Sequence, residues 1–214
     1  KVLYLVKLDF DKVVRVAKIA IEFETHPRVL IELNGQLSNG FLKLGRGQEA
    51  LECLQQGLSL LNDLTDQSDP IILLQRARLT KHIGDSYKLM GRINEAFNSY
   101  EQSLNFYFKH FLHGDKESTT KEFASLATAI GLLYEQNRND DEALIHHLRA
   151  KEVIKDDPDT DNTRALIFLN IATCYLKQRV PNLLLAKEHV ESAISLLELL
   201  SKKHPNENLE YLVG

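Results

Sequence analysis

Long hydrophobic runs are missing from this 214-residue chain, and none approaches the ~18 apolar residues that a membrane-spanning helix needs. A basic excess is missing too. Lys plus Arg total 26 against 30 for Asp plus Glu, a formal net charge of -4. The sequence-independent phosphate binding of a general nucleic-acid protein is therefore not expected. Two cysteines, Cys53 and Cys174, are too few for a disulfide framework and suit a reducing, cytoplasmic compartment. Five prolines and ten glycines exclude a collagenous or low-complexity chain. The chain opens on Lys1 rather than Met, without a signal-like start, so it reads as a piece of a longer protein whose targeting signals are not visible. GxSxG, GxGxxG, HExxH and phosphate-binding Gly loops are all lacking, so neither an enzyme nor a cofactor is expected.

What is present is 43% hydrophobic residues arranged with helical periodicity. Between Phe41 and Leu61 the apolar residues Leu42, Leu44, Ala50, Leu51, Leu54, Leu58 and Leu61 mostly follow the i, i+3, i+4, i+7 stripe of an amphipathic helix. Breakers at Pro27, Gly45 with Gly47, Pro70, Gly91, Gly114, Pro158, Pro181 and Pro205 divide the chain into helices with short connections. Those helices repeat. Gly84, Tyr87 and Ala96 align with Gly131, Tyr134 and Ala143, and Ser103 aligns with Ala150. Ser38, Phe41, Ala50 and Gly57 fit the same frame upstream, and Ala172, Tyr175, Ala186 and Ala193 fit it downstream with two extra residues near Pro181.

A small residue and an aromatic in one helix, followed by small residues at fixed places in the next, resembles the tetratricopeptide repeat (TPR) family. The resemblance implies an all-α, right-handed superhelical α-solenoid of helical hairpins, with small residues where helices meet and aromatics wedged between hairpins. A single array over 1–214 is expected, with a truncated repeat at 1–27, repeats at 28–69, 70–116, 117–160 and 161–205, and a further helix beginning in 206–214. The repeats are longer than the usual 34 residues. Lys203-His204-Pro205-Asn206-Glu207 and Leu169-Asn170-Ile171-Ala172 are similar to the kinesin light chain branch. Leu37, Phe41, Ala50, Leu54, Ile83, Tyr87, Ala96, Tyr100, Ile130, Tyr134, Ala143, Ile171, Tyr175, Ala186 and Ala193 are the expected core. The truncated ends leave Leu3, Leu5, Leu209 and Leu212 as candidates for self-association.

Several patterns suggest chemistry and then lose it. His110 and His113 lie one helical turn apart but have no further ligands at matching spacing, so a helix-end pair is expected. Asp157, Asp159 and Asp161 have the spacing of a calcium loop, but Asn162 and Phe168 occupy its Gly and bidentate Glu places. No metal is expected. His147 falls at the place held by Leu54 and Tyr100, and is expected to be a partly buried packing residue. Cys53 and Cys174 are expected to be small buried hydrophobes.

The resemblance implies protein–protein interaction: a scaffold or adaptor that takes a peptide segment or partner helix in a groove lined by first helices. The alternative is a peptide-sensing array controlling an attached effector domain. A carboxylate clamp is not expected, because Gly35 with Asn39, Lys81 with Asp85, Thr128 with Leu132 and Leu169 with Thr173 supply no Lys-plus-Asn pair. The residues expected to face the partner are Asn39 and Lys43, then Arg78, Lys81, His82, Asp85 and Lys88, then Thr128 and Gln136, then Asn170, Thr173 and Lys177. The cations of the second group favour an acidic or phosphorylated partner.

Overall fold

The structure is a computed structural model that describes residues 9–64, 66–113, 119–154 and 161–203, without the side chains of His113 and Lys203. Among the described residues all regular structure is helical: α1 (Phe10–Phe23), α2 (Pro27–Lys43), α3 (Gly47–Asn62), α4 (Pro70–Leu89), α5 (Ile93–His113), α6 (Thr120–Gln136), α7 (Asp140–Val153), α8 (Asp161–Lys177) and α9 (Leu183–Lys203). None of these helices is long and apolar enough to cross a membrane. The chain forms two compact units, Lys1–Asp115 and Lys116–Gly214. In the first, α1 packs on α2, α2 on α3, α3 on α4 and α4 on α5, and α2 also touches α4. In the second, α6 packs on α7, α7 on α8 and α8 on α9, with a smaller contact between α6 and α8.

Local chemistry sets where the helices start. Pro27 and Pro70 sit in first turns, where a missing N–H costs nothing. Asp9 Oδ1 accepts from Lys12 N at 3.2 Å, Asp69 Oδ1 from Ile71 N at 2.8 Å, Asn139 Oδ1 from Glu142 N at 3.3 Å and Asn182 Oδ1 from Leu185 N at 3.1 Å. Each satisfies a first-turn donor that the helix itself leaves unpaired.

One turn recurs at the ends of α2, α4 and α6. The carbonyl of the repeated aromatic accepts the bond that closes the helix: Arg46 N to Phe41 O at 2.9 Å, Arg92 N to Tyr87 O at 2.8 Å, Asn139 N to Tyr134 O at 2.9 Å. Beside each, a residue in the left-handed region reverses the chain: Gly45 at φ 76°, Gly91 at φ 74°, and Arg138 at φ 58°. In the first two turns the arginine then folds back over the aromatic, 4.7 Å above the Phe41 ring and 4.6 Å above that of Tyr87. The same arginines pair with Glu49 and Glu95. At α8 the two extra residues near Pro181 lengthen the link, and Asn182 N reaches Tyr175 O at 3.0 Å. Arg138 holds a place that favours glycine, so Arg138→Gly is expected to raise the unfolding free energy by about 1 kcal/mol, read from urea titration. Unchanged or lower stability would mean that the Arg138 side chain contributes more than its backbone costs.

Both compact units have cores built from the repeat frame. Val14, Ala17, Leu37, Phe41 and Ala50 form one cluster, and Ile31, Leu54, Leu61, Ile72 and Leu79 another. Ala96, Tyr100, Ile130, Ala143, Ile171, Ala186 and Ala193 are also buried. Ile83, Tyr87, Tyr134 and Tyr175 are half-buried. The three tyrosines lie in the last turns of their helices, and Arg92 roofs Tyr87.

The added repeat length lies partly in helices. α4 runs 20 residues and α5 runs 21, against 17 and 16 for α2 and α3. His110, near the end of α5, is buried and places Nδ1 2.9 Å from the carbonyl of Pro70 at the start of α4. Leu104 and Tyr107 are buried, whereas Phe108 and Leu112 are exposed.

Candidate functional site

Within the first unit, α2 and α4 are the first helices of consecutive hairpins, and α3 packs on both. A cavity of about 340 Å³ opens between them. Buried Ile31 and Leu79 supply apolar lining, and Gly35 leaves room because it has no side chain: a Cβ there would meet Leu79 Cδ2 at 3.4 Å. Glu32, Gln36 and Asn39 line it from α2, and Gln75, Arg78 and His82 from α4. Apolar floors with a few convergent polar groups suit side chains of an extended ligand.

Three of the sequence-predicted partner residues, Asn39, Arg78 and His82, line this cavity together. Lys81 and Asp85 are spent largely on each other. Their ion pair measures 2.6 Å, and Asp85 Oδ1 also accepts from the buried Tyr100 hydroxyl at 2.7 Å. The positive charge expected of this stretch is thereby reduced, and Glu32 adds a negative group to the lining. Lys43 and Lys88 are exposed and do not line the cavity. In the second unit Thr128 is buried, Asn170 and Thr173 are half-buried, and Gln136 is exposed. Thr173 spends its hydroxyl on Leu169 O at 2.9 Å. A second cavity, of about 470 Å³, lies beside the link between α3 and α4, bordered by Gln67, Ser68, Leu73, Arg76, Phe106 and Lys109.

Other sequence candidates resolve into packing. Asp157 and Asp159 lie outside the described residues. Asp161 opens α8, buried and paired with Arg164 at 3.2 Å. Cys53 is half-buried rather than buried, and burial pushes its thiol pKa up.

The second unit holds an arrangement that the sequence reading missed. His147 is fully buried rather than partly so, because Gly131 opposite leaves space for its ring. Its Nε2 lies 3.1 Å from Glu135 Oε1, and Glu135 Oε2 pairs with Lys177 Nζ at 2.9 Å. Cys174 Sγ lies 3.9 Å from the same Oε1. Burial first, then the Glu135 and Asp140 charges, push the Cys174 thiol up to about 12. The only signal in the sequence was the polar residue at a packing place, since Glu135 and Cys174 are distant in the chain.

Two imidazoles make stability depend on pH. Burial lowers the pKa of His147, with His146 adding to the fall and Glu135 opposing it. Burial and then Lys151 lower His189, with Glu188 opposing; its ring stacks on Phe168 and Tyr175. As pH falls through the ordinary 6.5, the unfolded chain binds protons that the folded chain does not. Their contribution is therefore complete above that value and is lost as pH falls from it toward the folded pKa values. Urea midpoints should drop between pH 7.5 and 5.5, and less so in His189→Gln. An equal drop in that variant would assign the effect elsewhere.

No family model and no curated protein matches the sequence. Solved structures do match the fold. The BtubC (BKLC) protein from P. vanneervenii is 19% identical with a TM-score of 0.71, over 94% of this chain and 78% of that one. MamA is 14% identical with a TM-score of 0.62, over 91% of this chain and 92% of that one. The nearly identical TPR-like repeats of a kinesin light chain type from Podosopora anserina are 18% identical with a TM-score of 0.61, over 91% and 86%. The fold is therefore all-α, a solenoid of tetratricopeptide repeat hairpins.

Proposed function

We propose that the chain is a non-enzymatic protein–protein interaction module, a scaffold or adaptor, that holds an extended peptide segment or a partner helix against the first helices α2 and α4. The observation that carries this reading is the cavity of about 340 Å³ between those helices, apolar below and polar at its rim. Asn39 and Arg78 offer donors to the main chain of a bound segment, and Arg78 with His82 favours a carboxylate or phosphate on it. The two free cysteines and the absence of a basic excess suit an intracellular protein partner rather than nucleic acid.

Gly35 allows a direct test. Peptides selected from a random display library against the intact chain are expected to lose at least about tenfold in affinity on Gly35→Met, which fills the cavity, and on Arg78→Glu. Circular dichroism of both variants should remain that of the parent. Undiminished binding to both folded variants would move recognition away from this groove.

A further inference from the structure

Three side chains from three helices of the second unit, Glu135 on α6, His147 on α7 and Cys174 on α8, bring one ligand-type atom each to within 4.8 Å of one another. We propose that Oε1 of Glu135, Nε2 of His147 and Sγ of Cys174 form a site for a borderline divalent transition metal of the zinc type.

The geometry suits such an ion. Bonds of about 2.0–2.3 Å at tetrahedral angles put neighbouring ligand atoms roughly 3.3–3.8 Å apart. The separations here are 3.1 Å for Nε2 to Oε1 and 3.9 Å for Sγ to Oε1, and all three ligand atoms lie within 4.8 Å of one another, so binding requires side-chain adjustments of up to about 1 Å. Mixed nitrogen, sulfur and oxygen donors select zinc-like ions over calcium or magnesium, which take oxygen. His147 and Cys174 are fully buried, and the Glu135 side chain is 12% exposed, so burial already fixes their rotamers.

Charge and proton count also balance. Binding replaces the thiol proton of Cys174, which leaves to solvent, by a metal–sulfur bond. Thiolate and carboxylate then offset the two positive charges of the ion. His147 must present the Nε2 lone pair, with its proton on the buried Nδ1, so the metal takes the place of the Nε2–H bond to Glu135. Lys177 need not leave, because it holds Oε2 and turns Oε1 inward, as an outer partner of a ligating carboxylate does. An independent sign is Asp140. Its Oδ1 is buried with no hydrogen bond, and its charge acts on both Cys174 and Lys177, so it adds a further negative group beside the cluster.

Cobalt(II) is the probe. The chelator-treated chain titrated with cobalt chloride should develop, at one equivalent, a thiolate-to-cobalt charge-transfer band and the ligand-field bands of a four-coordinate ion. Zinc chloride should abolish both. Cys174→Ser should lose the charge-transfer band, Glu135→Gln should weaken cobalt binding by roughly tenfold or more, and Lys177→Met and Cys53→Ser should keep the band. Circular dichroism reports folding in each case. If Cys174→Ser does not fold, the parent spectrum and Glu135→Gln decide. Absence of the band in the parent, its persistence in folded Cys174→Ser, or unchanged cobalt affinity in folded Glu135→Gln would overturn the proposal.

Discussion

Gly84→Val and Gly131→Val will destabilise the chain by about 1–3 kcal/mol each, whereas Gly35→Ala will be neutral or stabilising by up to about 1 kcal/mol. All three glycines are helical, so propensity alone predicts gains at every one. Space decides otherwise. A Cβ on Gly84 would meet the Tyr100 ring at 2.5 Å, and one on Gly131 would meet the His147 ring at 2.5 Å, while the nearest atom at Gly35 is 3.4 Å away. Neither ring can retreat at little cost: Tyr100 is pinned by Asp85 and His147 by Glu135. Combining Gly131→Val with His147→Ala should recover part of the loss, because the clash and the ring are one interaction. Urea unfolding of these variants gives the answer. A stabilised Gly84→Val, or strict additivity of the pair at 131 and 147, would refute close packing at the repeated glycine.

Tyr100→Ala is expected to have a larger effect still, a loss of about 3–5 kcal/mol, because the side chain is 1% exposed and its removal leaves a cavity between α4 and α5. Tyr100→Phe isolates the hydroxyl. It removes one bond to Asp85 but leaves the carboxylate paired with Lys81, so a loss of only about 1 kcal/mol is expected. Burial and the neighbouring Asp85 charge also push the phenol pKa up, so Tyr100 stays protonated under alkaline conditions that ionise exposed tyrosines. Equal losses in Tyr100→Phe and Tyr100→Ala would transfer the weight from packing to the polar contact.

The fold was legible because its determinants are local and recurrent. Gly84 and Gly131 mark close approaches, and Phe41, Tyr87 and Tyr134 mark helix ends, so one phase fixed along the chain organises several hairpins. What periodicity underestimates is how turns cover their own aromatics. Tyr87 sits under Arg92, an intra-turn contact that spacing does not encode. The groove was legible only in part. Asn39, Arg78 and His82 converge because first helices stack in register, but their register does not reveal which polar groups are already occupied. Asp85 is committed to Lys81 and Tyr100, and Thr128 is buried. The Glu135, His147 and Cys174 cluster draws on three helices across 39 residues, and nothing local announces it.

The most direct measurement is amide hydrogen exchange across the chain, free and saturated with a library-selected peptide. Recognition in the first-helix groove predicts added protection on α2 and α4, centred on residues 31–39 and 75–82. Protection confined to the link between α3 and α4 and the neighbouring part of α5, or to the second unit alone, would contradict it.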